Sequence, residues 1–213
     1  MSALTGPRVA ARSGDAPTAL VVFLHGFGAD GNDLISLAEI FGEVLPFAEF
    51  VSPNAPLAMD MGGRAWFPLT MRDPSEYTRG VVSAAPALQT FLDGELTRTG
   101  LAESRLALIG FSQGTMMALH VAYRRAAPIA AVVGYSGLCA GADEAGLKPA
   151  PTLLVHGAAD QVVPPPMTPA AAQLLGAAGI PVEWHMVPGL GHGIEQTGLA
   201  MAAEHLQRHL GRG

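Results

Sequence analysis

Apolar residues along this chain collect into short continuous runs that are separated by turn-forming residues. The runs occupy residues 18–24, 106–109, 129–135 and 152–156. Continuous apolar runs of this length are typical of strands buried on both faces, as in a parallel sheet. Residues 181–187 instead alternate between apolar and polar positions, which predicts a strand nearer the edge of the sheet.

The segments between these runs carry the periodicity of helices. One helix face follows the first run and is formed by Leu34, Leu37, Ala38 and Phe41, and a short strand at 49–52 comes after it. Further helices are predicted over 80–99, from 113 to about 125, over 167–178 and at the C-terminal end. Pro86 either opens or kinks the first of these. Strands that alternate with helices predict an α/β fold with a mostly parallel central sheet.

Two stretches lack a regular pattern. Residues 1–18 are expected to form an edge hairpin or an arm, and residues 53–79 are the longest irregular stretch. Loops this long inside a compact domain are usually functional or disordered. The apolar content of 53–79 argues against disorder. Its large apolar residues include Met59, Met61, Trp66 and Phe67.

The composition narrows the class of protein. The chain has 213 residues, which suits one domain spanning 1–213. A chain of this length buries about 70% of its unfolded surface, so its stability requires neither a metal nor a disulfide. The single cysteine, Cys139, excludes an intramolecular disulfide, which fits a reducing compartment. The formal net charge is −6 and the basic residues are scattered, so no nucleic-acid-binding surface is indicated.

Neither a membrane span nor an export signal is visible in the sequence. No uninterrupted apolar stretch reaches membrane-spanning length. Residues 1–8 contain no apolar segment of the kind found in export signals. We therefore expect a cytoplasmic protein.

The run at 106–109 is followed by Gly110-Phe111-Ser112-Gln113-Gly114, which fits the pattern G-x-S-x-G. In this motif a serine lies on a sharp turn between a strand and a helix, in a strained backbone conformation. Glycines two residues to either side let the neighbouring backbone pack against the turn. The helix directs its positive N-terminal end at the reacting group. Ser112 is thus a candidate nucleophile, and a serine that only caps the helix is the alternative.

Two further polar residues lie in turns that follow predicted strands. Asp160 comes after the run at 152–156, and His192 comes after the strand at 181–187. Functional groups gather at the carboxyl ends of strands in open α/β sheets. The order serine, aspartate, histidine is that of the triad of α/β-hydrolases. His192 would take the proton of Ser112, and Asp160 would hold the tautomer of His192 and stabilise its charged form.

Such a site also needs preorganised N–H donors for the oxyanion that forms on the substrate. The residue after the nucleophile, Gln113, supplies one backbone N–H. The glycine-rich turn after the run at 18–24 places the backbone N–H of Phe27 as the second.

Five of the other histidines are expected to have structural or solvent-facing positions. His25 and His156 end strands, and His156 should fix the loop that follows its strand. The others lie within a strand, His185, or on the last helix facing solvent, His205 and His209.

Other candidates for the acid and the nucleophile are weaker. Asp143 and Glu144 are the alternatives to Asp160, but they lie in a loop and not directly after a clear strand end. Cysteine hydrolases carry cysteine at the elbow, where this chain has Ser112. Cys139 is therefore expected to be a small, buried or half-buried apolar residue.

Several motifs together make the chain resemble the phospholipase/carboxylesterase family of α/β-hydrolases, which includes the acyl-protein thioesterases. The resemblance covers nearly the whole chain from about residue 19. It rests on His25-Gly26-Phe27-Gly28, Ser52-Pro53-Asn54-Ala55-Pro56, Arg64-Ala65-Trp66-Phe67, the elbow at 110–114, His156-Gly157 with Asp160 and Val162-Val163-Pro164, and Gly189-Leu190-Gly191-His192.

The resemblance implies hydrolysis of carboxylic esters or thioesters through an acyl-serine intermediate. It implies no metal, no cofactor, and an open site without a separate cap domain. Short- to medium-chain carboxylic esters are the expected substrates. Thioesters and lysophospholipids are alternatives, as is a non-catalytic binding protein with the hydrolase fold. The expected partner is a small-molecule ester, with no nucleic acid and no membrane span, and both monomer and homodimer stay open.

The substrate-side loop at 53–79 contributes most of the candidate wall of an acyl-chain site. The candidates are Trp66, Phe67, Met59, Met61 and Val163. The alternative for the first four is that they pack the loop onto the core.

Two positions depart from the pattern of the family. Thr115 stands where many relatives have another glycine, and Pro68 stands where many have an acidic residue. Neither belongs to the triad. Pro68 lies in the substrate-side loop and therefore bears on the choice of acyl or leaving group.

Overall fold

A seven-stranded sheet forms the centre of the protein, with helices on both of its faces. The computed structural model describes residues 4–70, 73–140 and 146–211. In chain order, the strands are β1 (Arg8–Val9), β2 (Ala19–Leu24), β3 (Ala48–Val51), β4 (Leu57–Ala58), β5 (Arg64–Ala65), β6 (Leu106–Phe111), β7 (Ala131–Tyr135), β8 (Thr152–Gly157) and β9 (Val182–Val187). The sheet has the order β1-β3-β2-β6-β7-β8-β9, and β4 and β5 pair separately.

The sheet is parallel except at one edge. β2, β3, β6, β7, β8 and β9 pair in parallel, and β1 runs antiparallel to β3. β2, β3, β7 and β8 are buried along their whole length, whereas β9, at the other edge, is half-exposed. The mostly parallel sheet and the edge position of the alternating strand are therefore confirmed. Within 1–18, β1 also lies at an edge.

The helices differ from the prediction mainly at their ends. In chain order they are α1 (Gly31–Ile35), α2 (Ala38–Val44), α3 (Pro74–Thr99), α4 (Gln113–Ala122), α5 (Met167–Ala177) and α6 (Gln196–Leu210), with a 3₁₀ turn at Glu103–Arg105. The single helix predicted after β2 is divided into α1 and α2.

The longest helix, α3, begins well before the predicted residue 80. The Asp73 side chain accepts a hydrogen bond from the Glu76 N–H at 2.8 Å, and Pro74 occupies the first helical position. Pro86 therefore lies inside the helix and does not open it. The irregular stretch at 53–79 is correspondingly shorter than predicted, since β4 and β5 also form a hairpin within it.

Alternate residues of the strands enter two apolar clusters, one on each face of the sheet. On one face, Leu108 packs with Leu88 of α3 and Met117 of α4. On the other face, Ile109 packs in a cluster with residues of α2 and α6. This burial on both faces explains why the central strands are continuously apolar.

Candidate active site

Ser112 lies between the end of β6 and the start of α4, in a backbone conformation that side chains rarely adopt. Its φ is 54° and its ψ is −115°. Positive φ is uncommon for a residue other than glycine and marks local strain. The Ser112 N–H donates to the Tyr135 carbonyl of the neighbouring β7 at 2.9 Å. The sheet thus holds the strained turn in place.

The two glycines of the motif are required by close backbone contacts. A Cβ on Gly110 would lie 2.5 Å from the Gly114 backbone. A Cβ on Gly114 would lie 1.8 Å from the Leu24 carbonyl oxygen. The strand-to-helix turn can therefore pack against β2 only with glycine at both positions, as the sequence predicts.

Asp160 and His192 are brought together from the loops after β8 and β9. The Nδ1 of His192 lies 2.7 Å from Oδ2 of Asp160. The other carboxylate oxygen, Oδ1, accepts the N–H groups of Val162 and Val163 at 2.8 Å and 3.0 Å. Burial acts to raise the pKa of Asp160, but the hydrogen bond from His192 and those two N–H groups hold it below its ordinary value. Asp160 is thus a buried, ionised acceptor for the imidazole.

His156 fixes the loop that carries Asp160, as predicted. Its Nε2 donates to the Val163 carbonyl at 3.0 Å, which leaves Nδ1 to accept from the Thr168 hydroxyl at 2.7 Å. The same Nε2 lies 3.2 Å from Oδ2 of Asp160. Both ring nitrogens are therefore engaged in holding the loop.

Ser112 and His192 line the same cavity, which has a volume of about 220 Å³. Val163, a predicted substrate-site residue, also lines it. The walls that sequence reasoning missed are Leu69, Tyr77, Phe111, Met116 and Val162.

The missed residues had partial signals in the sequence. Leu69 lies two residues beyond Phe67 in the substrate-side loop, and Met116 lies one turn into the helix after the elbow. Tyr77 was hidden because the helix that carries it starts at Pro74 and not near residue 80.

Four of the predicted wall residues do not line this cavity. Trp66 and Phe67 are only 1% exposed and belong to the apolar core. Trp66 packs beside the His25 ring, and the Phe67 ring fills the space where a side chain on Gly80 would lie. Their burial favours the alternative in which they pack the loop onto the core.

Met59 and Met61 lie away from the cavity as well. They belong to the hairpin formed by β4 and β5, and Met61 is 97% exposed. A short two-stranded hairpin cannot bury its tip, which explains the exposure.

The two expected oxyanion donors lie in the loop after β2 and at the start of α4. Gln113 is the first residue of α4, directly after Ser112, and Phe27 lines the cavity from the loop after β2. Among the described residues, neither backbone N–H donates to a backbone carbonyl. The backbone N–H groups of Phe27 and Gln113 therefore stay candidates for the oxyanion hole.

Two of the other histidines are buried outside this cavity. His25 is buried, its Nε2 accepts the Ala55 N–H at 3.0 Å, and its Nδ1 donates to the Gly26 carbonyl at 2.8 Å. It is therefore structural, as expected. His205 lies on α6 and is buried, so the prediction that it faces solvent is wrong.

The other candidates for the nucleophile and the acid are Cys139, Asp143 and Glu144. Cys139 is half-buried, as expected. Asp143 and Glu144, the alternative acids, lie outside the described residues. Nowhere in 4–70, 73–140 or 146–211 do three His, Cys, Asp or Glu side chains group so as to hold a metal ion. No helix in those ranges is long and apolar enough to cross a membrane.

The parallel sheet and the elbow serine that shares a cavity with a histidine define an α/β-hydrolase. The family model of the phospholipases/carboxylesterases matches residues 5–210. The chain belongs to the phospholipase/carboxylesterase family, and it is a hydrolase of the esterase, thioesterase and lysophospholipase type.

Individual relatives agree with this assignment. Acyl-protein thioesterase 1 of Gibberella zeae is 27% identical over 82% of this chain and 83% of its own. Lysophospholipase-like protein 1 of Mus musculus is 28% identical over 93% of this chain and 90% of its own. The crystal structure of esterase PE8 superposes with a TM-score of 0.93 at 38% identity, covering 98% of this chain and all 100% of that one. The Bacillus cereus carboxylesterase, at 19% identity and a TM-score of 0.80 over 97% of this chain and 94% of that one, shares the fold.

Proposed function

We propose that this protein is a serine carboxylesterase in which Ser112, His192 and Asp160 form the catalytic triad. The observation that carries the proposal is the 2.7 Å bond from His192 to Asp160, made beside a strained serine in the same cavity. Asp160 accepts the proton of Nδ1, so the neutral imidazole has its lone pair on Nε2. That lone pair makes His192 a general base for Ser112.

Catalysis proceeds in two transfers of the acyl group. In the first, Ser112 Oγ bonds to the carbonyl carbon of the ester and its proton passes to His192 Nε2. The carbonyl oxygen becomes an oxyanion that accepts hydrogen bonds from the backbone N–H groups of Phe27 and Gln113. The bond to the alcohol oxygen then breaks, and His192 returns the proton to that oxygen. The products are the free alcohol and an acyl-serine.

In the second transfer, water replaces the alcohol. His192 takes a proton from the water as its oxygen bonds to the acyl carbon. When the bond to Ser112 Oγ breaks, His192 gives that proton to the serine. The acid is released and the enzyme returns to its starting state, so neither a metal nor a cofactor is needed.

The size and lining of the cavity support the proposal that the substrates carry short- to medium-chain acyl groups. Its volume of about 220 Å³ lies below the roughly 300–1,000 Å³ of sites that enclose drug-sized ligands. Its walls are mostly apolar and include Val163, Leu69 and Met116. A short acyl chain would fill this space, and the alcohol would project toward solvent.

We further propose that residues 1–213 work as a single domain. The two apolar clusters share one sheet, which supports this arrangement. The loop at 53–79 would act on the substrate side, since Leu69 from this loop lines the cavity.

A second candidate is an acyl-protein thioesterase or lysophospholipase activity at the same serine. Phe27 is 36% exposed and Val162 is 54% exposed, and both line the cavity. Such an apolar rim would contact an acyl chain longer than the cavity itself. Two relatives bear thioesterase and lysophospholipase names. A non-catalytic binding protein is not supported, because no member of the triad is missing.

Hydrolysis of p-nitrophenyl esters from acetate to palmitate separates these candidates. The carboxylesterase proposal predicts the highest kcat/KM at short or medium chains. It also predicts loss of turnover in Ser112→Ala, with an unchanged fold by circular dichroism. A maximum at the longest chains would favour the second candidate. Full activity of folded Ser112→Ala would contradict both.

A further inference from the structure

The side chain of Gln113 makes contacts that its backbone role does not require. Its carboxamide is fully buried, with 0% exposure. The carbonyl oxygen accepts the Trp66 N–H at 2.9 Å, and the amide nitrogen donates to the Phe67 carbonyl at 2.8 Å. Gln113 therefore holds the backbone of residues 66–67 by two hydrogen bonds, as a neighbouring strand would.

The same segment is bonded to the loop that carries Phe27. The Arg64 N–H donates to the Ala29 carbonyl at 2.7 Å, and the Gly28 N–H donates to the Arg64 carbonyl at 2.8 Å. On the other side of Phe27, the indole N–H of Trp66 donates to the His25 carbonyl at 3.0 Å. Residues 64–66 thus form hydrogen bonds with residues on both sides of Phe27.

Close contact between the two segments depends on a glycine. Gly63, directly before β5, has a φ of +74°, and a Cβ on it would lie 1.9 Å from the Gly28 carbonyl oxygen. Only glycine lets the hairpin approach the loop so closely.

We propose that residues 64–67, which we call the oxyanion strap, set the distance between the two oxyanion donors, and that the side chains of Gln113 and Trp66 are positioning residues for hydrolysis. The strap is bonded at one end to Gln113, which supplies one donor, and at the other to the neighbours of Phe27, which supplies the second. This inference rests on the proposed function, because it assumes that an oxyanion forms at these two N–H groups.

Loosening the strap is expected to weaken stabilisation of the transition state and to leave substrate binding nearly unchanged. An oxyanion hole contributes through donors that are fixed before the reaction, and loss of one donor costs about 10²–10³ in kcat. Among the described residues, none of 64–67 lines the acyl cavity, which the same loop reaches at Leu69. Loosening the strap should therefore lower kcat with little change in KM.

Trp66→Phe is the primary test, because it removes the indole N–H and keeps a buried aromatic ring. We expect kcat for p-nitrophenyl butyrate to fall at least about tenfold and at most by the roughly 10²–10³ that a lost donor costs, with KM nearly unchanged. The inhibition constant of an alkylboronic acid, which forms a tetrahedral adduct with the serine, should rise in parallel with the loss in kcat.

Tyr123→Phe is the matched control. It removes one buried hydrogen bond, from the Tyr123 hydroxyl to Thr152 at 2.7 Å, in the same apolar cluster but outside the cavity. It should lower the free energy of unfolding by about 1 kcal/mol and leave kcat and boronate affinity as in the wild type. A parallel loss of kcat in this control would show that any damage to the cluster suffices, and would overturn the proposal.

Gln113→Met gives a second and independent variant. It removes both carboxamide bonds and keeps the length of the side chain. If Gln113 and Trp66 act through one strap, the double variant should lose no more kcat than the more damaging single variant. Additive losses, or folded single variants with kcat within about twofold of wild type, would overturn the proposal. Ser112→Ala distinguishes failure of this inference from failure of the proposed function. If only the role of the strap is wrong, the variant is inactive. If the proposed function is wrong, the variant retains the activity of the wild type.

Discussion

At the scale of single residues, the environment of Asp160 decides which nitrogen of His192 carries the proton in the proposed mechanism. One carboxylate oxygen is saturated by two backbone N–H groups, those of Val162 and Val163. Only the other oxygen faces His192. The loop therefore fixes the orientation of the carboxylate, and through it the tautomer of the imidazole.

This orientation makes Asp160→Asn a sharp test. The amide oxygen of the variant would keep the bonds from Val162 and Val163, so its NH₂ group would face His192 Nδ1. An NH₂ group there selects the tautomer that has its proton on Nε2, and this tautomer cannot accept the proton of Ser112. We expect kcat to fall by about 10⁴, with the fold retained.

Steady-state kinetics of Asp160→Asn and of Asp93→Asn measure this effect. Asp93 is bonded to Arg125, so the control makes the same chemical change at an ion pair outside the cavity. Less than a tenfold loss in folded Asp160→Asn would show that another residue supplies the acid.

The sequence predicts the positions of these polar residues better than it predicts the cavity walls. Ser112, Asp160 and His192 each follow the end of a strand, and parallel strands bring their carboxyl ends to one edge. The walls depend instead on which side of the loop at 53–79 faces the core. Trp66 and Phe67 are buried in it, whereas Leu69 packs against it half-buried and also lines the cavity. Only tertiary packing determines that choice.

At the scale of elements, the junction of β6, β7 and α4 is fastened by Thr115. Its Oγ1 lies 2.8 Å from both the Gly110 and the Tyr135 carbonyl oxygens. The Tyr135 carbonyl also accepts the N–H of Ser112. Thr115 thus links the helix by hydrogen bonds to the two strands that hold the strained turn.

We expect Thr115→Val to lower the free energy of unfolding by about 1–3 kcal/mol, because it removes the hydroxyl while keeping the shape of the side chain. Urea denaturation of the variant and the wild type measures this difference. Equal stability of the two proteins would show that the hydroxyl does not fasten the junction.

Element boundaries were harder to predict than element types. The sequence Asp73-Pro74 followed by Glu76 is a helix-start signal, and it marks the true beginning of α3. Apolar periodicity alone placed that start near residue 80, because the first turns of α3 are largely exposed.

At the scale of the whole molecule, burial of His205 on α6 couples the free energy of unfolding to pH. Burial lowers the pKa of His205 to about 4, with a smaller opposing effect from its hydrogen bond to the Pro151 carbonyl. In the unfolded chain a histidine has a pKa of about 6.5. Between these two values the unfolded chain binds the proton and the folded protein does not.

The contribution of neutral His205 to the free energy of unfolding should therefore be complete above about pH 6.5. It should fall as the pH drops toward 4, by at most about 3 kcal/mol. Urea denaturation of the wild type and His205→Gln at about pH 7 and about pH 5 tests this. The variant should lose most of the pH dependence, and His185→Gln, on the half-exposed edge strand β9, should retain it. The same slope in wild type and His205→Gln would contradict the assignment.

The prediction that His205 faces solvent is wrong because the burial of this residue depends on the whole fold and not on α6 alone. Helical periodicity identified the apolar face of α6 through Ala202 and Leu206. The neighbouring His205 is covered because other parts of the chain pack around the helix, and its hydrogen bond to the Pro151 carbonyl before β8 is one such contact. That closure is a property of the assembled fold and not of the helix pattern.

In the proposed mechanism, Ser112 carries the acyl group during turnover. The most direct measurement is mass spectrometry of the protein mixed with p-nitrophenyl butyrate and quenched in acid within one turnover. We predict a butyryl adduct on the peptide that contains Ser112, and none in Ser112→Ala. An adduct on any other residue, or turnover by Ser112→Ala, would contradict the account.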